Sequence, residues 1–108
     1  MRVLFHPEFP GDIRKYESDY SRISDGLGLR FRNEIDAAIE SVTLSPTSAG
    51  HFLNVGSTVV SEFRRRNLKS FPFFVLYGFS AERLIFGSII PSRSDPLVWL
   101  ARFNKPKS

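Results

Sequence analysis

The sequence contains no cysteine, so disulfide bonds, thiolate metal sites and a cysteine nucleophile are excluded. It also has no apolar run near the ~18 residues that a membrane-spanning helix needs. The apolar start, MRVLFHPEF, is too short for the hydrophobic region of a signal peptide. The chain has 108 residues, which is the length of a single domain, and it contains no internal repeat or low-complexity segment. We therefore expect a single cytoplasmic domain, residues 1–108, without a metal or cofactor.

Acidic residues are scarce in the second half of the chain. Residues 1–61 carry six lysines and arginines against eight acidic residues, a net charge of −2, whereas residues 62–108 carry nine against three, a net charge of +6. The two halves sum to the +4 of the whole chain. Such a basic half suits an acidic protein partner or a phosphate backbone, although excess charge also keeps a protein soluble without any such role.

Hydrophobic periodicity predicts a strand and a helix at the beginning of the chain. The segment RVLFH, from Arg2 to His6, is short and rich in strand formers. A helix is predicted between residues 7 and 25, starting near Gly11 or Asp12, because apolar residues recur there at steps of three and four. Its apolar stripe consists of Ile13, Tyr16, Tyr20 and Ile23.

A second helix is predicted after the turn SDGLG, and it runs to about Ser45, where Pro46 ends it. Its spacing of apolar residues is again helical. The stripe consists of Phe31, Ile35, Ile39 and Val42, with Ala38 between them. Because only a short turn joins the two helices, we expect an antiparallel helical hairpin.

The second half of the chain changes to a period of two and predicts three strands joined by tight turns. Such strands pair as an antiparallel meander. Tyr77 is expected in the core with its hydroxyl satisfied, and a short helix is predicted over 97–103, after Asp95-Pro96. The fold is therefore predicted to be α+β, with the helices on one face of the sheet and the other face only partly covered. The predicted strand ranges are 59–66, 71–79 and 84–90.

The order of these elements, together with particular pieces of sequence, resembles the RelE/ParE superfamily of bacterial toxins. The pieces are FHPEFPGDIRKYESDY, GLGLRFRNEIDAAIESVTLSP, RRRNLKSFPFFVLYGF, LIFGSII and SRSDPLVWLARF. This superfamily supplies the toxins of type II toxin–antitoxin pairs, which are also called plasmid stabilisation proteins. The chain departs from the pattern at Pro91 and Ser94, where many relatives carry histidine and arginine, and its nearest arginine is Arg93.

The resemblance implies one of two activities. RelE-like members are ribosome-dependent mRNA endonucleases, whereas ParE-like members poison DNA gyrase and have no known hydrolytic site. A metal-free RNase needs a base and an acid beside an arginine or lysine. Arg65, Arg83 and Arg93 are candidates for stabilising charge, but Pro91 and Phe103 stand where cutting relatives carry histidine and tyrosine.

We therefore predict a ParE-like toxin that binds DNA gyrase and blocks replication. The resemblance also implies a cognate antitoxin, which is small, partly disordered when free, and wraps the toxin with an acidic segment. The alternatives are an mRNA endonuclease of the RelE type and an inactive remnant of the toxin fold. Direct nucleic-acid binding ranks last, because the aromatic residues of the sheet are predicted to be buried and no nucleic-acid motif is visible.

The predicted target-binding residues are basic, with one aromatic anchor. Arg64 and Arg66 share one face of a strand and are expected to be exposed and without a compensating charge, whereas Arg65 takes the other face. A structural role competes for Arg65, which could instead pair with Asp95 or Glu62. The one tryptophan is interpreted more readily as a core residue than as an anchor. The full set is Arg64, Arg65, Arg66, Lys69, Arg83, Arg93, Trp99 and Arg102.

Overall fold

A helical hairpin followed by a strand meander forms most of the computed structural model, which describes residues 2–48, 51–53, 62–80 and 82–94. The α+β class agrees with the prediction, and so does the order of the described elements apart from one additional short strand. No helix within these ranges combines the length and the apolar character that a membrane crossing requires. The helix predicted over 97–103 lies outside the described residues. In chain order the elements are β1 (Arg2–Phe5), α1 (Phe9–Ser21), α2 (Asp25–Leu44), β2 (His51–Leu53), β3 (Glu62–Asn67), β4 (Phe73–Ser80) and β5 (Arg83–Pro91).

The described strands form one sheet in the order β1-β5-β4-β3-β2. Strands β3, β4 and β5 pair antiparallel, as their tight connections predict. Strand β1 pairs in parallel with β5, with Phe5 opposite Phe86. Strand β2 adds to the outer edge of β3 and was not predicted, because three residues are too few to display an alternating pattern. The interior position of β4 and β5 explains why both are apolar on both faces.

Helix α1 begins at Phe9, earlier than the predicted start near Gly11 or Asp12. Pro10 is tolerated in the first turn because the N–H that it lacks would have no intrahelical partner there. The helix ends at Ser21, so Ile23 falls in the turn that follows and is 73% exposed. The prediction that Ile23 continues the apolar stripe is therefore wrong.

Helix α2 begins where the hydroxyl of Ser24 accepts a hydrogen bond from the N–H of Leu27 at 3.0 Å. A serine in this position satisfies one of the free N–H groups of the first turn. The helix ends at Leu44, just before Pro46, as predicted. Its buried stripe agrees closely with the sequence pattern, with Ile39 only partly buried. The stripe consists of Phe31, Ile35, Ala38 and Val42.

The main core lies between the helical hairpin and one face of the sheet, which we call the helix-side face. Helix α1 packs on β5 and α2 packs on β4. Aromatic rings fill much of the space between them. Tyr20 contacts Phe71 with 4.8 Å between ring centroids, and Phe31 contacts Phe73 at 5.5 Å. The strand residues of this core are Phe73, Val75, Tyr77, Leu84, Phe86 and Ile89.

The opposite face of the sheet is also well buried in the described strands. Leu76 stands opposite Ser88, and both are completely buried. The expectation that this face is only partly covered is therefore wrong at these positions. Ser88 is unusual, because its buried hydroxyl has no hydrogen-bond partner among the residues that the structure describes. The fully buried residues of this face are Phe63, Phe74, Leu76, Ser88 and Ile90.

Candidate interaction surface

Strand β3 divides the arginine run between the two faces of the sheet. Arg64 stands opposite Tyr77 and Arg66 stands opposite Val75, so both lie on the helix-side face. Arg65 stands opposite Leu76 and lies on the other face. Because the hairpin packs over β5 and β4, the helix-side face of β3 lies beside the hairpin instead of beneath it. Charged side chains are tolerated there for that reason.

Arg64 forms an ion pair with Glu62, two residues earlier on the same face of β3. The side chain of Arg64 is only 17% exposed. The expectation that Arg64 and Arg66 are both exposed is therefore wrong, since Arg66 is also half-buried, and Glu62 compensates the charge of Arg64. Residues at i and i+2 of a strand point the same way, so the sequence spacing of Glu62 and Arg64 already allows this pair.

Arg65 lies over the ring of Phe74, with 5.1 Å between the guanidinium carbon and the ring centroid. The attraction of a cation for an aromatic face holds it there, and Glu62 is instead used by Arg64 on the opposite face. The prediction that Glu62 holds Arg65 is therefore wrong, and Asp95 lies outside the described residues. Arg65 is half-buried, with its charged group on the sheet face away from the hairpin.

Arg66 lies in a furrow between α2 and β3, which we call the α2–β3 furrow. It consists of two adjoining cavities, of about 580 and 320 Å³, that share Arg66 and Ala37. Lys69 lines the smaller cavity and is exposed. The furrow therefore brings two of the predicted target-binding residues together. Its α2 wall consists of Asn33, Glu34, Ala37, Ala38, Glu40, Ser41 and Leu44.

Glu34 fixes the loop between β3 and β4 against α2. One carboxylate oxygen accepts the backbone N–H groups of Lys69 at 3.1 Å and of Ser70 at 3.0 Å. Burial alone would raise the pKa of this carboxyl, but the hydrogen bonds from Ser70 and Lys69, with the charge of Arg30, hold the pKa below its usual value. The carboxylate therefore stays charged near neutral pH and anchors the end of the furrow.

Arg83 and Arg93 lie at opposite ends of β5. Arg83 begins the strand, opposite Ser80, whereas Arg93 follows Pro91 at its end. The rise of a strand separates the two ends by about 26 Å. Together with Arg65 on the face away from the hairpin, they were the charge-stabilising candidates for RNA cleavage, and the structure does not assemble the three around one point. Both Arg83 and Arg93 are exposed.

Arg93 lies on the rim of a small, mainly apolar pocket of about 280 Å³. The pocket forms where Tyr20 of α1 meets the loop before β4 and the end of β5. The N–H of Ser92 donates to the carbonyl of Pro72 at 2.9 Å and closes this end of the sheet. Trp99 and Arg102, the remaining predicted target-binding residues, lie outside the described part of the chain. The lining residues are Tyr20, Pro72, Phe73, Pro91, Ser92 and Arg93.

Two described side chains that could transfer a proton, Tyr77 and His6, have structural roles. The hydroxyl of Tyr77 donates to the carbonyl of Pro46 at 3.1 Å, as the expectation of a satisfied core tyrosine requires. Burial raises the pKa of Tyr77 to about 12. The Nδ1 atom of His6 accepts the N–H of Glu8 at 3.1 Å. Within the described ranges, no group of three or more metal-binding side chains could hold an ion.

Sequence reasoning missed the α2 wall of the furrow. Ala37, Ser41 and Leu44 repeat at i, i+4 and i+7, which is the spacing of a helix-packing seam. This stripe is offset from the buried stripe of α2, and Leu44 is 75% exposed. The signal was therefore present in the sequence, but the stronger stripe of larger side chains on the same helix obscured it.

The fold and the charged strand define a small α+β protein in which a helical hairpin covers part of one sheet face. No protein-family model matches the chain, and the comparison with curated proteins finds no match. A solved structure of the chromosomal ParDE toxin–antitoxin system from P. aeruginosa contains a similar chain, with a TM-score of 0.68. The two chains are 15% identical, and the similarity covers 84% of this chain and 95% of that one. The two chains therefore share a fold, which agrees with the α+β fold predicted from the sequence.

Proposed function

We propose that the protein is the toxin of a type II toxin–antitoxin pair and that it binds DNA gyrase and blocks replication in the cytoplasm. The observation that carries this proposal is the fold shared with a chain of the ParDE toxin–antitoxin system, across 84% of this chain and 95% of that one. The sequence pieces that resemble the RelE/ParE superfamily support the toxin assignment independently. Fold alone does not fix an activity, so the choice of target rests on the surface as well.

The chemistry of the described residues favours binding over RNA cleavage. An RNase of this kind needs a base and an acid close to a cationic group. Tyr77 is buried with its proton held by Pro46, and the Nδ1 atom of His6 is used by the backbone of Glu8. These contacts support a toxin that acts by occupying a surface of its target.

The target-binding surface is proposed to centre on Arg66, Lys69 and Arg93, which lie toward the same end of the sheet. Basic side chains accelerate association with an acidic surface and fix its orientation. Arg65 contributes from the opposite face, and Arg64, which is paired with Glu62, lies on the same face of β3 as Arg66. Smaller contributions to target binding are proposed for Arg83, at the far end of β5, and for Trp99 and Arg102.

The antitoxin is proposed to be a small protein with an acidic contact segment. Such a segment is partly disordered when free, because a highly charged chain cannot bury enough apolar surface to fold alone. Its carboxylates neutralise the excess charge of residues 62–108, which amounts to +6. Covering this surface would also block access to the target.

The test is induction of the full chain alone in bacteria, with gyrase–DNA cleavage complexes and mRNA integrity measured in the same cultures. Growth arrest with trapped complexes and intact transcripts is expected. A variant with Arg66→Glu, Lys69→Glu and Arg93→Glu should lose the arrest while remaining folded, whereas Arg32→Ala should retain it. Arg32 is a matched control because it is an exposed arginine of the helical hairpin, paired with Asp36 and Glu17.

Two results would contradict the proposal. Arrest with transcripts cut during translation would establish the RelE-type endonuclease, and Arg65→Ala would then be the first variant to examine. Absence of arrest from a folded, abundant protein would establish an inactive remnant, and the departures at Pro91 and Ser94 would be the first positions to restore.

A further inference from the structure

Strand β1 lies at one edge of the sheet, and among the described strands it pairs only with β5. The N–H groups of Arg2 and His6 donate to backbone carbonyls on the β5 side, at 2.8 Å each. Because the backbone groups of successive strand residues point in opposite directions, the N–H and carbonyl groups of Val3 and Phe5 point away from β5. The outer edge of β1 therefore offers Val3 and Phe5 for pairing with another strand.

The side chains along this edge are apolar and exposed. Val3 is 37% exposed and Phe5 is 48% exposed. Both lie on the helix-side face, where the ring of Phe5 stacks on Phe86 with 5.3 Å between centroids. Edge strands are commonly protected from pairing by a charge, a proline or a bulge within the strand. The charge of β1 is at its first residue, Arg2, and Pro7 lies beyond its end, so the middle of the edge is open.

The backbone pattern of this edge is complementary to itself. Two copies of one chain associate most often about a two-fold axis, which makes identical strands antiparallel. With Val3 opposite Phe5 of the partner subunit, both outward-facing residues exchange both of their hydrogen bonds, about four bonds in all. A shift that places either residue opposite its own counterpart leaves the other opposite Pro7, which has no N–H, or beyond the start of β1. The backbone therefore favours a single register.

The same register also matches side chains. It places the exposed Val3 beside the exposed Phe5 of the partner subunit, and aromatic and β-branched residues on neighbouring strands stabilise a sheet in this way. Leu4, which is half-buried on the other face, lies opposite Leu4 of the partner subunit. The contact is small, because an edge of four residues is only about 13 Å long and stable interfaces bury about 1,200–2,000 Å² in total. We therefore expect a weak, reversible association.

We propose that the outer edge of β1 joins two copies of this chain, which pair antiparallel to form one continuous sheet. Val3 of each copy lies opposite Phe5 of the partner subunit, and Leu4 lies next to the two-fold axis. Strand β3 is separated from β1 by β5 and β4, so Arg66 and Lys69 lie away from this contact. The dimer thus presents the proposed target-binding residues twice. The inference goes beyond the proposed function and does not depend on it.

The absence of cysteine from the chain allows the register to be tested with single substitutions. Leu4 and its counterpart form a non-hydrogen-bonded pair with about 4.5 Å between Cα atoms, which is within the range of a disulfide. Val3 and its counterpart are displaced along the strands and lie about 8–9 Å apart, which is too far. With purified full-length protein and oxidised glutathione, Leu4→Cys should form a covalent dimer at least about tenfold faster than Val3→Cys. Random collisions would give the reverse order, because the side chain of Val3 is the more exposed.

Sedimentation equilibrium of the unmodified chain at about 5–500 µM should show a monomer–dimer equilibrium with a Kd of about 10 µM to 1 mM. Val3→Lys places a charge in the middle of the edge and should weaken dimerisation at least about tenfold. Ile23→Lys is the matched control, because Ile23 is 73% exposed in the turn between the helices, and it should change the Kd by less than about twofold. Circular dichroism verifies that each variant is folded.

Faster disulfide formation by Leu4→Cys, together with selective loss of the dimer in Val3→Lys, would support the proposal. Equal or faster crosslinking of Val3→Cys would overturn it. A dimer that Val3→Lys and Ile23→Lys affect equally would place the contact elsewhere and would also overturn it. A chain that stays monomeric up to about 500 µM would overturn the dimer and leave β1 as an edge for a strand of another protein.

Discussion

A β-carbon on Gly28 would lie 1.9 Å from the Oγ of Ser21 and 3.1 Å from its Cα. The end of α1 and the beginning of α2 are therefore in contact close to their backbones. This contact sets how tightly the hairpin closes, and through the hairpin it sets where α2 lies relative to β3. Gly26, two residues earlier, would place a β-carbon in open space, since among the described residues only its chain neighbours and the backbone of α2 lie close to it.

Gly28→Ala is expected to destabilise the fold by about 1–3 kcal/mol, because the added methyl group overlaps Ser21 and the two helices must move apart. Gly26→Ala is the matched control. It should be neutral or stabilising by up to about 1 kcal/mol, since alanine favours a helix over glycine. Urea unfolding of both variants measures the difference. Equal free energies of unfolding for Gly28→Ala and Gly26→Ala would contradict a close contact between Gly28 and Ser21.

Glu34→Gln is expected to destabilise the fold by about 1 kcal/mol at neutral pH, because the bonds from Lys69 and Ser70 lose their charged acceptor. The pKa of Glu34 is below its ordinary value of 4.5 in the folded state. The carboxylate therefore stabilises the fold above that value, and this stability is lost as pH falls through the folded pKa.

Denaturant unfolding at neutral pH and at about pH 3 should consequently show the gap between the wild type and Glu34→Gln narrowing in acid. Glu40→Gln, at an exposed position of the same helix, is the control and should have little effect at either pH. A gap that stays constant with pH would contradict the role given to the Glu34 carboxylate.

Tyr77→Phe is expected to cost about 1 kcal/mol, because the carbonyl of Pro46 loses its donor. Burial, opposed by the charges of Arg64 and Arg66, raises the pKa of Tyr77 from 10.0 to about 12. The neutral tyrosine therefore stabilises the fold below pH 10, and this contribution is lost as pH rises through about 12. In alkaline unfolding experiments, the difference in free energy of unfolding between the wild type and Tyr77→Phe should therefore decrease across that pH window. A difference that increases with pH would contradict the raised pKa of Tyr77.

Ser88→Ala is expected to stabilise the fold by about 1 kcal/mol, because it removes a buried hydroxyl that finds no hydrogen-bond partner in the described part of the chain. Ser92→Ala, at an exposed position beyond the same strand, should change the free energy of unfolding by less than about 0.5 kcal/mol. Thermal unfolding compares the two variants. If Ser88→Ala lowers the free energy of unfolding, the hydroxyl makes a stabilising interaction that is not among the described contacts.

The helices and the meander could be predicted because each depends on a local pattern. The stripe from Phe31 to Val42 has helical spacing, and the strands alternate with a period of two. Cap and turn residues predicted most ends of helices and strands to within two or three residues of their observed positions. The predicted start of α1 is too late because the low helix propensity of Gly11 does not prevent the helix from beginning at Phe9. The prediction for Ile23 is wrong because the helix ends at Ser21, before the apolar pattern ends.

The candidate surface was harder to predict, because it depends on which strands the hairpin covers. The sequence identified Arg66 and Lys69 as basic, but it could not show that both would line a furrow between α2 and β3. The ion pair of Arg64 with Glu62 follows from a spacing of two in a strand and could have been anticipated. The position of Arg65 over Phe74 depends on the register between β3 and β4, which no local pattern determines.

The most direct test of the central proposal uses purified full-length protein, DNA gyrase and supercoiled plasmid. After the enzyme is denatured, linear DNA measures gyrase that was trapped on cleaved DNA. We predict that linear DNA accumulates with the wild-type chain and with Arg32→Ala, and that it is lost with the variant carrying Arg66→Glu, Lys69→Glu and Arg93→Glu. Unchanged supercoiling, with no linear DNA at any concentration of folded wild-type protein, would contradict the proposal that this chain is a gyrase-directed toxin.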